Sequence, residues 1–290
     1  MNTNTNNAEK RKTVLIAALI FVTLLLMFIY ATVNDKENFS LFGGADGSEI
    51  IYVADDTLDR IVSRAIFDTN KHVAGETNGE GHLVLGTEND GEILTVYALT
   101  QYGEYTFKNS NLVRTSDAVI VPAVLKYRIS GSETYNFFNI QYVKADENYE
   151  QTVKELFPEK YVSRVLNISD DDADILKDIE EIYADIYLES INRNENVGEP
   201  QDFDYIYLSD IGIPDDVTNL VYSKYPEYPT YIGTLEVLTD GIRNVYETSY
   251  NSGESTIILQ TYEYGKKDLA QIIKLDSTTG LEKTETDGQD

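Results

Sequence analysis

The sequence has one group of acidic residues spaced like the ligands of a calcium-binding loop. Three aspartates alternate along it, namely Asp170, Asp172 and Asp174. Glu181 is the twelfth residue counted from the first aspartate, as in an EF-hand loop, but that loop needs glycine at its sixth position, where this chain has Ile175. Ser169 can cap a helix here, and acids favour the positive end of the helix dipole. A helix start therefore explains these acids, and we predict no metal site.

Four tyrosines recur at every third position of the segment YSKYPEYPTY, namely Tyr222, Tyr225, Tyr228 and Tyr231. An extended, proline-rich chain repeats about every three residues, so the four rings could line one edge. Exposed tyrosine rings suit stacking on glycans or peptides, and we predict these four as candidate ligand-binding residues. The alternative is packing, because tyrosines also fill half-buried rims where loops cover sheets.

Residue types that many enzymes require are scarce. The chain has no cysteine, which excludes disulfides, thiolate nucleophiles and cysteine-based zinc sites. Its two histidines, His72 and His82, lack the HExxH spacing, and we assign them structural or surface roles. The sequence also lacks the GxSxG and SxxK motifs of serine enzymes and the glycine-rich loops that bind nucleotides. We therefore predict no cofactor and no catalytic residue of these types.

Carboxylates leave one class of enzyme open. Two of them suffice for glycosidase chemistry, and the chain has 50 aspartates and glutamates. With so many, a pair is informative only when its spacing in a cleft is known. A wall-associated hydrolase that uses paired carboxylates is therefore the alternative function.

The strongest feature of the sequence is an uncharged, mostly apolar run of 20 residues that begins at Val14 and ends at Val33. A helix of this length spans about 30 Å, the thickness of a bilayer's hydrocarbon core. Basic residues at 10–12 precede the run, and such residues favour the cytoplasmic side. We predict a cytoplasmic tail at 1–12, a transmembrane helix at 13–33 and an extracellular remainder. A cleaved signal peptide is the alternative, but its apolar region is usually only about 7–15 residues long.

The charge of the chain is strongly negative and, with this topology, lies outside the cell. The net charge is −27, and residues 1–33 carry +2, which leaves −29 for residues 34–290. Nucleic-acid binding needs clustered lysine and arginine, so we predict no nucleic-acid partner.

Periodicity predicts the elements that must position these residues. After a stalk at 34–48, apolar residues from Leu58 to Ile66 recur at helical spacing. Period-2 alternation between His82 and Val143 then predicts strands joined by tight turns. We expect an antiparallel meander with one face packed on the first helix, which is an α+β fold.

Helical periodicity returns at Tyr149 and is clearest over 170–192. There the apolar residues lie at spacings of four, three and four, namely Ile175, Ile179, Ile182 and Ile186, and Leu176 and Tyr183 widen the stripe. This spacing puts the four isoleucines on one face of a helix. We predict that this face is buried.

Composition predicts the domain limits. The segment 194–202 is polar and contains Gly198 and Pro200, so we place a boundary there. An α+β ectodomain at 49–195 precedes it. A small β-rich unit at 203–276 follows, with strands predicted at 205–208, 233–238, 242–250, 256–262 and 269–275. Residues 277–290 lack apolar periodicity and are predicted to be a flexible tail.

Four segments resemble a known group of proteins: EGHLVLGT at 80–87, TVYALTQYGEYTF at 95–107, ELFPEKYVSRVL at 155–166 and YIGTLEVLTDGIRNVYET at 231–248. They are similar to uncharacterised membrane-anchored extracytoplasmic domains of Gram-positive bacteria, and to domains attached to β-lactam-sensor-type membrane metallopeptidases. This chain has one predicted membrane helix and no HExxH motif, so no protease activity is implied. The resemblance implies a Gram-positive surface location and an accessory or sensory role, and it supplies no functional residue.

The predicted anchor and the lack of catalytic motifs favour a single-pass protein of the cell membrane with its N-terminus inside. Its ectodomain would sense, bind or scaffold at the outer face of the membrane. Because the cytoplasmic tail is only twelve residues long, signalling inwards would require a membrane-protein partner.

Overall fold

The computed structural model describes residues 57–70, 75–130 and 134–283. Within these ranges the chain has an α+β fold with five α-helices and a large, mainly antiparallel sheet, which confirms the predicted fold class. The predicted cytoplasmic tail, the transmembrane helix at 13–33 and the stalk lie outside the described residues, as does the end of the predicted C-terminal tail. None of the described helices is long and apolar enough to cross a membrane.

The helices are α1 (Thr57–Thr69), α2 (Tyr149–Leu156), α3 (Glu159–Leu166), α4 (Asp170–Ser190) and α5 (Asp215–Lys224). The first five strands are β1 (Thr77–Asn89), β2 (Ile93–Lys108), β3 (Asn111–Arg114), β4 (Ile120–Ile129) and β5 (Tyr135–Tyr142). The other five are β6 (Val197–Gly198), β7 (Gly233–Thr239), β8 (Ile242–Asn251), β9 (Thr256–Glu263) and β10 (Gln271–Asp276).

Strand β2 organises the sheet. Along one edge it pairs with β1, and along the other it pairs first with β4 and then with β3. Strand β5 pairs with β4. At its end, Lys108 of β2 lies opposite Leu235 of β7, and β8, β9 and β10 follow in antiparallel order. Strand β2 is thus one continuous strand of 16 residues with a neighbour along both edges.

Strands from both predicted units belong to this one sheet. Strand β6, which lies in the predicted boundary segment, pairs in parallel with β3, and β7 joins the end of β2. The domain boundary at 194–202 stays a prediction. Residues 205–208 are not a strand, since Tyr207 forms only an isolated bridge with Tyr231.

Helices cover both faces of the first half of the sheet. Alternate side chains of β2 point to opposite faces, so Val96 and Ala98 pack with α1. Tyr97 and Leu99 pack instead in a layer that α2, α3 and α4 share. A separate cluster of buried apolar residues joins α5 to β9 and β10.

Helix α4 begins as predicted but buries a different face. Ser169 caps it, because its Oγ accepts a hydrogen bond from the Asp172 N–H at 3.1 Å. The four isoleucines of the predicted stripe are not its buried face, since Ile175 is 45% exposed and Ile182 is 41% exposed, whereas Leu176 and Tyr183, which widen the stripe, are buried. A buried residue follows each of the first three isoleucines, and the buried face includes Leu176, Glu180, Tyr183, Ala184 and Leu188. A shift of one residue corresponds to a rotation of the helix by about 100°.

Glycines on two strands explain this orientation. A Cβ added to Gly81 of β1 would lie 2.0 Å from the Leu176 carbonyl oxygen, and one added to Gly79 would lie 2.4 Å from the Glu180 carbonyl oxygen. Gly103 of β2 lies opposite Gly79, and its Cβ would lie 1.6 Å from the Glu180 carboxylate. The backbone of α4 therefore packs directly against the strands at these glycines, and only glycine permits so close an approach.

We predict that Gly81→Ala destabilises the protein by about 3 kcal/mol, because its methyl group would collide with helix backbone that cannot move aside locally. Gly253→Ala is the matched control, since its Cβ would meet only Asn251 Oδ1 at 3.4 Å. Urea denaturation of the two variants measures the difference. Equal stabilities would show that α4 does not depend on close approach to the sheet.

Candidate functional site

The four tyrosines predicted as a ligand-binding row do not form an exposed row in the structure. Tyr222 lies in α5, which the spacing with proline did not predict. The other three are only 6–8% exposed, and they are Tyr225, Tyr228 and Tyr231. Their burial favours the packing alternative, and ligand binding by these residues stays a prediction.

Every hydroxyl of this group has a partner within the protein. The Tyr225 hydroxyl donates to Glu282 at 2.5 Å, and the Tyr231 hydroxyl donates to the Thr234 carbonyl at 2.9 Å. Tyr228 shares a hydrogen bond of 2.6 Å with Thr261, and Tyr222 donates to the carbonyl of Thr230. These contacts attach the segment after α5 to the C-terminal strands.

A cleft of about 430 Å³ lies between the C-terminal end of α1 and strands β2, β4 and β5. We call it the α1–β5 cleft. Its buried lining residues are Ile66, Thr100 and Val143. Two residues of opposite charge, Asp117 and Lys144, line its exposed part and form no ion pair with any described residue. The cleft therefore combines an apolar interior with one available anion and one available cation.

Tyrosine hydroxyls join the walls of the α1–β5 cleft. The Tyr102 hydroxyl donates to the Asn70 carbonyl at 2.8 Å, and the Asn70 side chain donates to the Tyr142 hydroxyl at 3.2 Å. Burial raises the pKa of Tyr102 to about 12 and also raises the pKa of Tyr142. Both hydroxyls are therefore protonated at neutral pH and link α1 to β2 and β5.

A buried polar cluster lies beside this cleft. His82 and Glu80 of β1 are the cross-strand neighbours of Thr100 and Tyr102, which line the cleft. The His82 Nδ1 lies 3.1 Å from a Glu80 carboxylate oxygen, and its Nε2 lies 3.5 Å from Asp59 of α1. His82 is thus held between two carboxylates, although the sequence analysis assigned it no acidic partner.

The same cluster joins both helices that flank β1. Ser63 of α1 donates a hydrogen bond to Glu80, and the hydroxyls of Ser63 and Tyr183 lie 2.7 Å apart. Tyr183 of α4 also donates to Glu80 at 3.3 Å. Ser63 is fully buried, and its hydroxyl is bonded to a carboxylate and to a tyrosine hydroxyl.

A second buried cluster lies under α4. Arg114 of β3 donates to Glu180 at 3.0 Å and to Glu199 at 3.3 Å, and Arg114 and Glu180 are each 1% exposed. Glu180 also accepts hydrogen bonds from Gln101 and Tyr105, both at 2.8 Å. Burial raises the pKa of Glu180, whereas Arg114 and the two hydrogen-bond donors act in the opposite direction.

A third cluster connects α4 with the C-terminal strands. Arg243 of β8 donates to Glu76 and contacts Glu236 of β7 at 3.6 Å. Tyr187 of α4 donates to the same oxygen of Glu76. Arg193 donates to Glu236 as well, at 2.6 and 3.1 Å, so this glutamate lies between two arginines. Arg193 also donates to Glu195 at 2.6 Å, so the cluster holds three carboxylates and two arginines that bond to one another across α4, β7 and β8.

One of the acids with the spacing of a calcium loop, Asp172, is bonded to an arginine. Asp172 accepts two hydrogen bonds from Arg164, at 2.6 and 3.2 Å, and these hold the pKa of Asp172 below its usual value. Over the described ranges, no three histidine, cysteine or acidic side chains lie close enough together to hold a metal ion.

Sequence reasoning missed most of the residues in these clusters. The one usable signal for the position of α4 was glycine inside predicted strands, since such a glycine marks a close backbone approach. These glycines are Gly79, Gly81 and Gly103. The α1–β5 cleft gave none, since its lining residues come from four elements between Ile66 and Ala145.

Comparison with protein-family models, with curated proteins and with solved structures finds no match to this chain. The resemblance to Gram-positive extracytoplasmic domains stays a prediction.

The His82 cluster makes stability depend on pH. Burial lowers the pKa of His82, but Glu80 and Asp59 outweigh it, so the net shift is upward. The stabilisation is therefore complete below about pH 6.5, the ordinary histidine pKa, and is lost as the pH rises through the folded-state value. We predict that the difference in unfolding free energy between the wild type and His82→Asn is larger at about pH 5.5 than at about pH 8.5.

Asp59→Asn should reduce this change without abolishing it, because Glu80 still contacts the imidazole ring. Urea denaturation at both pH values measures all three proteins. If the free energies of unfolding of the wild type and His82→Asn differ by the same amount at both pH values, the account is contradicted.

Proposed function

We propose that this chain is a single-pass protein of the cell membrane whose acidic ectodomain binds a small amphipathic molecule in the α1–β5 cleft. The observation that carries the proposal is the cleft. Its volume of about 430 Å³ lies in the range of small-molecule sites, and such sites combine apolar walls with a few polar groups. The anchor is proposed from the uncharged run that begins at Val14.

The lining of the cleft indicates the chemistry of its ligand. Ile66, Val121 and Val143 would contact an apolar group. Asp117 and Lys144 would each pair with a group of opposite charge, and neither has a competing ion pair within the described ranges. A molecule with an apolar body and a charged or zwitterionic end fits this arrangement best.

The position of α1 in the chain supports a sensory role. Helix α1 is the first described element after the predicted stalk, and its last turn contributes Ile66 to the cleft. A ligand would therefore contact the described helix that lies nearest in sequence to the predicted membrane anchor. Because the predicted cytoplasmic tail has twelve residues, a partner in the membrane would have to carry the signal inwards.

The α1–β5 cleft favours binding over the alternative of carboxylate-based hydrolysis. Asp117 is the one acidic residue among those that line it. Glycosidases need two carboxylates about 5–10 Å apart around the bond that is cleaved. This cleft does not supply that pair.

The fluorescent probe 1-anilinonaphthalene-8-sulfonate tests the proposal, since it has an apolar body and one anionic group. We predict that it binds the full-length protein in detergent at a saturable site. Val121→Trp, which fills the cleft, should weaken binding by at least about tenfold, or about 1.4 kcal/mol. Val237→Trp is the matched control, because Val237 is 38% exposed on β7 and does not line the cleft.

Melting temperatures show whether both variants fold. If Val121→Trp and Val237→Trp weaken probe binding equally, the probe does not bind in the α1–β5 cleft. Lys144→Gln should weaken binding of the anionic probe, whereas Asp117→Asn should not.

A further inference from the structure

The rotation of α4 leaves its isoleucine stripe on the surface. Ile175 is 45% exposed, and Ile182 is 41% exposed. The other two isoleucines of the stripe, Ile179 and Ile186, are partly buried. Single exposed apolar residues are common on protein surfaces. Here four isoleucines form a continuous line of about 16 Å along one helix, which marks an interaction surface.

The spacing of the stripe has the geometry of helix pairing. Intervals of four, three and four residues are those of alternating d and a positions in a heptad repeat. The neighbouring positions on one side, Leu176 and Tyr183, are buried against the protein's own core. The stripe can therefore accept one further helix from the outer side.

The charges beside the stripe define the chemistry of that helix. Helix α4 contains nine acidic residues and one lysine. Asp178 and Asp185 occupy the g positions next to the stripe, and neither forms an ion pair with a described residue. The single lysine, Lys177, is already within 3.5 Å of Glu181. The flank of the stripe is therefore an uncompensated row of negative charge.

We infer that the isoleucine stripe of α4 binds a basic amphipathic helix of a partner protein. The partner's apolar residues would pack between the isoleucines, and its lysines or arginines would pair with Asp178 and Asp185. Partial burial and the neighbouring Glu189 raise the pKa of Asp185, and a cation beside it would reverse that shift. The inference goes beyond ligand binding in the α1–β5 cleft and does not depend on it.

Charge also decides against a second copy of this chain. Two α4 helices packed antiparallel at their stripes would bring the g positions of both, Asp178 and Asp185, next to one another. Like charges at such positions oppose pairing, whereas opposite charges select the partner. A basic helix gains the same apolar burial without that repulsion.

A pair of designed peptides tests the inference. Each peptide has three heptads with isoleucine at a and leucine at d. One peptide carries lysine at every e and g position, and the other carries glutamate there. The full-length protein is placed in nanodiscs of zwitterionic lipid, with empty nanodiscs as the blank, and binding is followed by fluorescence anisotropy. We expect the lysine peptide to bind at least about tenfold more tightly than the glutamate peptide.

Variants assign the binding to the stripe. Ile175→Ser combined with Ile182→Ser should weaken lysine-peptide binding by at least about tenfold, and Asp178→Asn combined with Asp185→Asn should weaken it and reduce its salt dependence. Ile206→Ser combined with Ile242→Ser is the matched control, because these isoleucines are 55% and 51% exposed elsewhere on the surface. All replaced residues are exposed or carry no ion pair among the described residues, and unchanged melting temperatures would show that the variants fold.

Three results would overturn the inference. The two peptides could bind equally, the Ile175/Ile182 variant could bind like the wild type, or the wild type could form a dimer that this variant abolishes. The last result would assign the stripe to a second copy of the chain. Probe binding in the α1–β5 cleft should be unaffected by the stripe variants, so the two proposals fail separately.

Discussion

Glu180 and Arg114 form the contact on which the arrangement of this fold depends. Both side chains are almost completely buried, and a buried charge is tolerated only when an opposite charge and hydrogen bonds compensate it. Gly79, Gly81 and Gly103 let α4 approach the sheet closely enough for the carboxylate to reach the arginine. The helix is thus oriented by a polar contact, and its most regular apolar stripe faces outwards.

From α4 the polar contacts run in two directions. Tyr183 reaches Glu80 and Ser63, and this cluster holds α1, whose last turn forms a wall of the α1–β5 cleft. Tyr187 and Arg243 share Glu76, which links α4 to the C-terminal strands through β8. One helix therefore supports the proposed ligand site, connects the two ends of the sheet, and presents the isoleucine stripe to a partner. Replacing a residue of its buried face should disturb the cleft, whereas replacing an exposed isoleucine should not.

Local signals in the sequence predicted the local structure well. The predicted strands at 233–238 and 242–250 form β7 and β8, which a turn at Asp240–Gly241 joins, and Ser169 caps α4 as predicted. The orientation of α4 could not be predicted from hydrophobic periodicity. It depends on the buried ion pair between Arg114 and Glu180, which lie 66 positions apart in the sequence. Helix α5 was missed because the tyrosine and proline spacing suggested an extended chain, although Pro214 followed by two aspartates is a helix-start signal. The α1–β5 cleft depends on long-range strand pairing, which a single sequence does not specify.

The stability of Glu180→Leu tests most directly whether a buried ion pair positions α4. The variant leaves the buried Arg114 with Glu199 at 3.3 Å as its one acidic partner among the described residues and with the Tyr102 carbonyl at 3.2 Å. We predict a loss of about 3 kcal/mol or more in the free energy of unfolding measured in urea. Glu181→Leu changes the adjacent residue, whose partly exposed ion pair with Lys177 should contribute less than about 1 kcal/mol. A loss for Glu180→Leu no larger than that for Glu181→Leu would show that α4 is held by apolar packing instead, and would contradict the account.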